Sequence, residues 1–196
     1  EGLRLDLYYD RMLYSYTVKY LEYGTNNELH APEISEAIYR FGKTVSADAL
    51  EIPGYTLVSA TPQTRVIRTT GNEIIFYYSE KSVTISYVPA PTGAGQVSRG
   101  SETVKAITDT AAGSTPMPEN GYRFEGWYKD AACTQPVDAA WVDAATKHLV
   151  PQKNNGMYES ATYYAKFVPN VADLTIQKTG ASDVDENQSL LFRIQG

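Results

Sequence analysis

Along residues 14–20 the apolar Tyr14, Tyr16, Val18 and Tyr20 alternate with Ser15, Thr17 and Lys19. A period of two puts the first set on one face of an extended chain and the second on the other, which predicts a strand. Further strands are predicted at 55–59, 64–68 and 72–78, and then at 82–88, 103–108, 122–128 and 162–168. Turn residues separate them. Gly24-Thr25-Asn26-Asn27 and Pro53-Gly54 punctuate the first half, and Thr70-Gly71-Asn72 reads as a hairpin-like turn between 64–68 and 72–78. Pro89-Ala90-Pro91-Thr92-Gly93-Ala94-Gly95 predicts a flexible loop. Residues 35–41 fit a short helix or a strand. The stretch 131–149 is mixed, with one helical turn expected around 141–146. The pattern predicts a mainly β chain with minor helix.

The pattern also repeats. Leu7-Tyr8-Tyr9-Asp10, followed by the strand at 14–20, is echoed by Phe76-Tyr77-Tyr78-Ser79 and the strand at 82–87. A third double tyrosine, Tyr163-Tyr164, precedes Pro169 and a strand expected at 173–178, and Gly54-Tyr55-Thr56-Leu57 has a partner in Gly121-Tyr122-Arg123-Phe124. The spacing predicts tandem modules of about 70–90 residues. The expected boundaries are 1–13, the closing strand of a preceding module; 14–81 and 82–169, two whole modules; and 170–196, the incomplete start of a third. The chain therefore reads as part of something longer, and its opening residues do not resemble a signal peptide.

Composition sharpens this. Tyrosine is the unusual residue, at 16 against five Phe and two Trp. Its ring packs well on a pleated, half-buried surface while its hydroxyl stays wet, which favours strands over a helical bundle. With Lys+Arg 17 against Asp+Glu 23 the net charge is −6, the wrong sign for a phosphate-backbone binder, so nucleic acid is not an expected partner. A mean hydropathy of −0.36, with no apolar run near about 18 residues, excludes a membrane-spanning helix from the sequence.

Candidate chemistry is sparse. The only thiol is Cys133 and the only imidazoles are His30 and His148, with nothing near Cys133 in sequence to activate it. Cys133 reads as a packed structural cysteine, and an internal disulfide is excluded. These residues lack a zinc spacing. Asp183-Val184-Asp185-Glu186-Asn187 has the oxygen spacing of a calcium loop, but Gln188 stands where the sharp-turn glycine belongs, so a solvated hairpin loop is the expectation. Glu33, Glu36, Asp48 and Glu51 read as solvated surface. No metal, cofactor or catalytic set is expected. The tyrosines and Trp127 serve chiefly as core, because a module of about 70 residues needs large rings to bury enough surface. The exposed members of Tyr77/Tyr78 and Tyr163/Tyr164 are the candidate ligand-facing aromatics.

Residues 16–81 resemble a mucin-binding-protein (MucBP) repeat, through Tyr16-Thr17-Val18-Lys19-Tyr20, Ile52-Pro53-Gly54-Tyr55-Thr56-Leu57 and Ile74-Ile75-Phe76-Tyr77-Tyr78. Residues 82–169 resemble a Listeria–Bacteroides repeat of the internalin B-repeat type. That likeness rests on Gly121-Tyr122-Arg123-Phe124-Glu125-Gly126-Trp127-Tyr128-Lys129-Asp130, Cys133 and Ala161-Thr162-Tyr163-Tyr164-Ala165-Lys166-Phe167, and departs from the pattern in a long insertion at 141–157. Ala172-Asp173-Leu174-Thr175-Ile176-Gln177-Lys178-Thr179-Gly180, with Ser189-Leu190-Leu191-Phe192-Arg193-Ile194, resembles the start of a pilin-type, prealbumin-like collagen-adhesin B domain. These resemblances imply small β-grasp-like modules strung as an elongated stalk, outside the cell in the wall of a Gram-positive bacterium. They imply a non-enzymatic role in presenting distal domains and contacting host mucin or another glycoprotein, or alternatively a specific glycan- or immunoglobulin-binding receptor module. The third resemblance also implies that Lys178 is available for an amide crosslink in a longer chain.

Overall fold

A computed structural model describes residues 2–4, 6, 10 and 12–170. The expected third module, the strand at 173–178, Lys178 and the tyrosines of 7–9 lie outside the described residues. The chain is mainly β. Among the described residues strands make up 48% and helix 2%, and no helix reaches seven residues.

The first half contains β1 (Leu13–Tyr14), β2 (Thr17–Glu22), β3 (Glu28–Ile34), β4 (Tyr39–Arg40), β5 (Thr44–Ala47), β6 (Tyr55–Leu57), β7 (Gln63–Val66) and β8 (Glu73–Glu80). Four of these build one sheet in the order β3-β2-β8-β6, with β2 and β8 parallel at its centre and antiparallel partners outside them. The second half contains β9 (Ser82–Ala90), β10 (Gly95–Val97), β11 (Ser101–Lys105), β12 (Pro116–Pro118), β13 (Tyr122–Tyr128) and β14 (Ala161–Pro169), with one 3-10 turn at Ala139–Trp141. Its sheet runs β11-β9-β14-β13 and repeats the same plan, with β9 and β14 parallel in the middle. Parallel neighbours need a crossover, and a helix usually supplies it. Here a two-stranded ribbon lies on the inner side of each sheet instead, β5–β7 in the first half and β10–β12 in the second.

Each sheet buries one face. In the first, Val18, Tyr20, Ile74, Phe76 and Tyr78 point inward and pack with Val45 and Ile67 from the ribbon side. The rings of Tyr20 and Phe76 stack with centroids 6.1 Å apart, and the Tyr20 hydroxyl donates to Glu33 at 3.0 Å. In the second, Ile85, Tyr87, Trp127, Tyr163, Ala165 and Phe167 form the inner face. Gly95 of the ribbon lies so close that an added Cβ would stand 2.6 Å from the Phe167 ring. The insertion at 141–157 is part of this core, since it contributes the fully buried Leu149, and Tyr158 follows directly. The Tyr158 hydroxyl donates to the Pro151 carbonyl and accepts from the Ala111 amide at 3.1 Å.

Several local expectations change. The turn at 70–72 joins no hairpin, because β7 pairs with β5 while β8 pairs with β2 and β6. Asn72 redirects the chain by accepting from the Arg68 amide at 2.8 Å and donating to the Arg68 carbonyl at 2.9 Å. The undecided stretch at 35–41 is a bend followed by β4, which pairs with β1 across the expected boundary at 13/14. β3 carries no alternation legible in Glu28-Leu29-His30-Ala31-Pro32-Glu33-Ile34. Its place at the sheet edge tolerates Pro32, which lacks a ladder donor.

The two cores share no residue, and both tryptophans lie in the second. Phe76→Ala removes a fully buried ring at an expected cost of about 3–5 kcal/mol, a large share of the stability of a unit this small. Tryptophan fluorescence through a urea titration should keep its wild-type midpoint while the circular dichroism amplitude of the first half shifts to lower urea. A parallel shift in both signals would show that the halves unfold as one body.

Candidate functional site

Among the described residues the titratable groups that catalysis would need are dispersed. Cys133 is half-buried beside Ala90, Pro91, Lys166 and Phe167 in a shallow depression of about 240 Å3, and burial pushes its thiol pKa up. A raised thiol is a poorer nucleophile at neutral pH. His148 does not approach it as an activating base. Its Nε2 donates to the Ala112 carbonyl at 2.9 Å and its Nδ1 accepts from Thr115 Oγ1 at 2.8 Å, so the ring clamps a loop. His30 lies in the other half, edge-on to Tyr20. Glu102 is a half-buried carboxylate beside the second core. It accepts from Tyr87 Oη at 2.7 Å, the Ala112 amide at 2.8 Å and the Gly113 amide at 2.9 Å. Burial pushes its pKa up, but these three donors more than offset that and hold it below the usual carboxylate range. The same bond, together with burial as the larger cause, raises Tyr87. Glu102 is therefore a fixed acceptor that pins the loop carrying Ala112 and Gly113.

The faces turned away from the cores hold the remaining chemistry. Alternation on β8 buries Tyr78, 1% exposed, and leaves Tyr77 half-exposed; on β14 it buries Tyr163, 8% exposed, and leaves Tyr164 half-exposed. Tyr78 donates to the Leu50 carbonyl at 2.8 Å and Tyr163 stacks on Tyr87 with centroids 6.2 Å apart. These two are core residues, which removes them from the ligand-facing candidates. Tyr77 meets the ring of Tyr23 edge to face at 6.2 Å, and Tyr23 is 66% exposed. Leu21 stands opposite Tyr77 on β2, and Val58, also exposed, is bonded through its amide to the Tyr77 carbonyl. Lys19 and Glu73 form an ion pair at 2.6 Å on the same face. The second sheet has a counterpart, in which Tyr164 lies opposite Tyr128. Lys166 sits 5.4 Å over the Tyr128 ring and pairs with Glu125 at 2.5 Å. Each outer face thus presents two rings beside one ion pair. Flat rings stack on the C–H faces of sugars or on apolar side chains, and the ion pairs supply donors and acceptors around them. Tyr23 was not singled out by the sequence, and Tyr128 entered only as part of the motif at 121–130. Only their pairing with Tyr77 and Tyr164 across the sheet gives them meaning.

Residues 16–79 match the MucBP domain family. The match spans β2 to β8, about a third of the chain, and contains all of the first sheet but Glu80, the last residue of β8, together with the Tyr23–Tyr77 patch. MucBP is a family of binding domains, not of enzymes, and is found in surface proteins of Gram-positive bacteria. No curated protein matches the chain. Among the described residues no helix is long and apolar enough to cross a membrane, and no cluster of three or more His, Cys, Asp or Glu stands ready for a metal.

The depressed Glu102 pKa fixes a sign. A carboxylate held below its unfolded value near 4.3 contributes stability that is complete above that pH and lost as pH falls through the folded value. The urea midpoint of the second half, read by tryptophan fluorescence, should be flat above about pH 5 and decline below about pH 4. Glu102→Gln should lower the midpoint at pH 7 and flatten part of the acid decline. An acid slope unchanged by the substitution would refute this role.

Proposed function

We propose that the chain is a non-enzymatic stalk and adhesion segment of a cell-wall-associated surface protein of a Gram-positive bacterium. In this reading residues 14–81 and 82–169 are successive β-grasp-like modules, the second related to Listeria–Bacteroides repeats, and the incomplete third belongs to a pilin-type domain. The observation that carries the stalk is the joint. Only Lys81 separates β8 from β9. Its amide donates to the Gly54 carbonyl of the first module at 2.8 Å, and its carbonyl accepts from the Ala106 amide of the second at 2.9 Å. A linker one residue long, bonded on both sides, has little reach with which to fold the modules back on each other. The repeated sheet plan and the surface-protein family of the first module support the same reading.

The adhesive part rests on the Tyr23–Tyr77 patch, which lies inside the MucBP match and is left uncovered by the crossover. Host mucin or another glycoprotein is the partner this surface suits, because its rings are accessible and its ion pair is solvated. The same patch favours a second reading, a receptor module specific for one glycan or for immunoglobulin.

Small-angle scattering should show an elongated particle with two resolved lobes, and a compact globule would defeat the stalk. In a mucin-coated surface binding assay, Tyr23→Ser and Tyr77→Ser should each weaken retention, and the double substitution should abolish it while circular dichroism stays unchanged. Retention unaffected by the double substitution would remove the patch from the reading. Selectivity for one glycan or for immunoglobulin on an array would move the assignment to the second reading.

A further inference from the structure

The joint holds one buried acid that neither core uses. Glu80 ends β8 and is 9% exposed, yet its side chain serves the other half of the molecule. Oε1 accepts from the Ile107 amide and, at 2.7 Å, from the Thr108 amide, while Oε2 accepts from Thr108 Oγ1 at 2.8 Å. Two successive amides aimed at one oxygen form a small anion-binding nest. The second half holds the nest in shape by itself. The Lys105 amide donates to Asp109 at 2.8 Å, the Tyr158 amide donates to the Ala106 carbonyl at 2.8 Å, and Lys153 Nζ donates to the Ile107 carbonyl. Beside this contact Ile107 presses on Gly54. An added Cβ there would stand 2.5 Å from Ile107 Cδ1, and the φ of +80° independently disfavours a side chain. Carboxylate, backbone bonds and this apolar contact therefore meet on one small surface.

We propose that Glu80 is a latch that locks the angle between the two halves by docking its carboxylate into the Ile107–Thr108 nest. The backbone bonds of Lys81 alone would leave a hinge, since they fix a point. The carboxylate adds a second point of attachment off the hinge axis, and rotation about the joint must break it. The far end of the second half shows what the latch adds. There the Asn170 amide donates to the Gly121 carbonyl at 2.8 Å, repeating the Lys81–Gly54 bond. Register places Pro169 opposite Tyr122, as Glu80 stands opposite Tyr55. Pro169 brings no side-chain acceptor, so the same backbone grip exists there without a carboxylate.

The inference rests on the two-module reading and is tested apart from it. In the 196-residue chain, 15N relaxation should give one shared rotational correlation time for amides of 17–80 and of 82–169. Glu80→Ala should shorten and separate the two values, with resonances of both cores unmoved. Should that variant fail to fold, Glu80→Gln with Thr108→Val keeps the shape, removes the charge and one donor, and is expected to separate the values likewise. A shared correlation time surviving in the folded variant overturns the latch, and so do separate values in the wild type. An elongated particle with freely tumbling halves would leave the stalk standing without the latch; a compact particle tumbling as one would defeat the stalk and leave the latch.

Discussion

The parallel pairing of the first and last long strands at the centre of each sheet governs everything else. β2 lies beside β8, and β9 beside β14. A parallel pair cannot be closed by a tight turn, so the chain between must leave the sheet and return. In both halves the ribbon of the connection packs on one face. That face becomes the core, and the other face stays open to solvent. The split between structural and displayed tyrosines follows from this one-sided cover: Tyr20, Tyr78, Tyr87 and Tyr163 lie beneath the crossover, while Tyr23, Tyr77, Tyr128 and Tyr164 lie on the far side.

A crossover without a helix creates a second requirement. Helical backbone satisfies its own polar groups, whereas an irregular connection must find partners elsewhere. Side chains supply them. Asn72 turns the chain back toward β8, Glu102 holds the amides of Ala112 and Gly113, His148 spans Thr115 and Ala112, and Ser114, fully buried, donates to the Arg99 carbonyl. His148 and Glu102 are absorbed by this bracing, and Cys133 is half-buried against its neighbours. Their geometry is that of clamps, and it accounts for the absence of a converging reactive set among the described residues. The same economy operates at the joint, where Glu80 satisfies amides of the neighbouring half.

The repeat was legible, but only partly in the right register. Gly54-Tyr55 and Gly121-Tyr122 are equivalent in space, because each opens the third strand of its sheet and each glycine carbonyl receives the amide that follows the last strand. The double tyrosines are not equivalent. Tyr78 pairs with Leu57 where Phe167 pairs with Phe124, so Tyr77 corresponds to Lys166, and Tyr163-Tyr164 lie three residues too early to match. A strand alternates with period two and accepts a ring on either face, so a matching pair of aromatics does not fix the alignment.

What the sequence determined by itself was local: alternation for most of the long strands, turn residues between them, an aromatic supply suited to small β cores, and a net negative charge. Tertiary structure alone decided the partners. Which strand lies beside which, that β7 leaves β8 for β5, that Tyr23 meets Tyr77, and that Glu80 reaches Thr108 are all contacts between distant segments. A pattern of period two records which side of a strand is apolar. It carries no record of the strand or side chain that will stand opposite, because pairing is set by the packing of the whole unit.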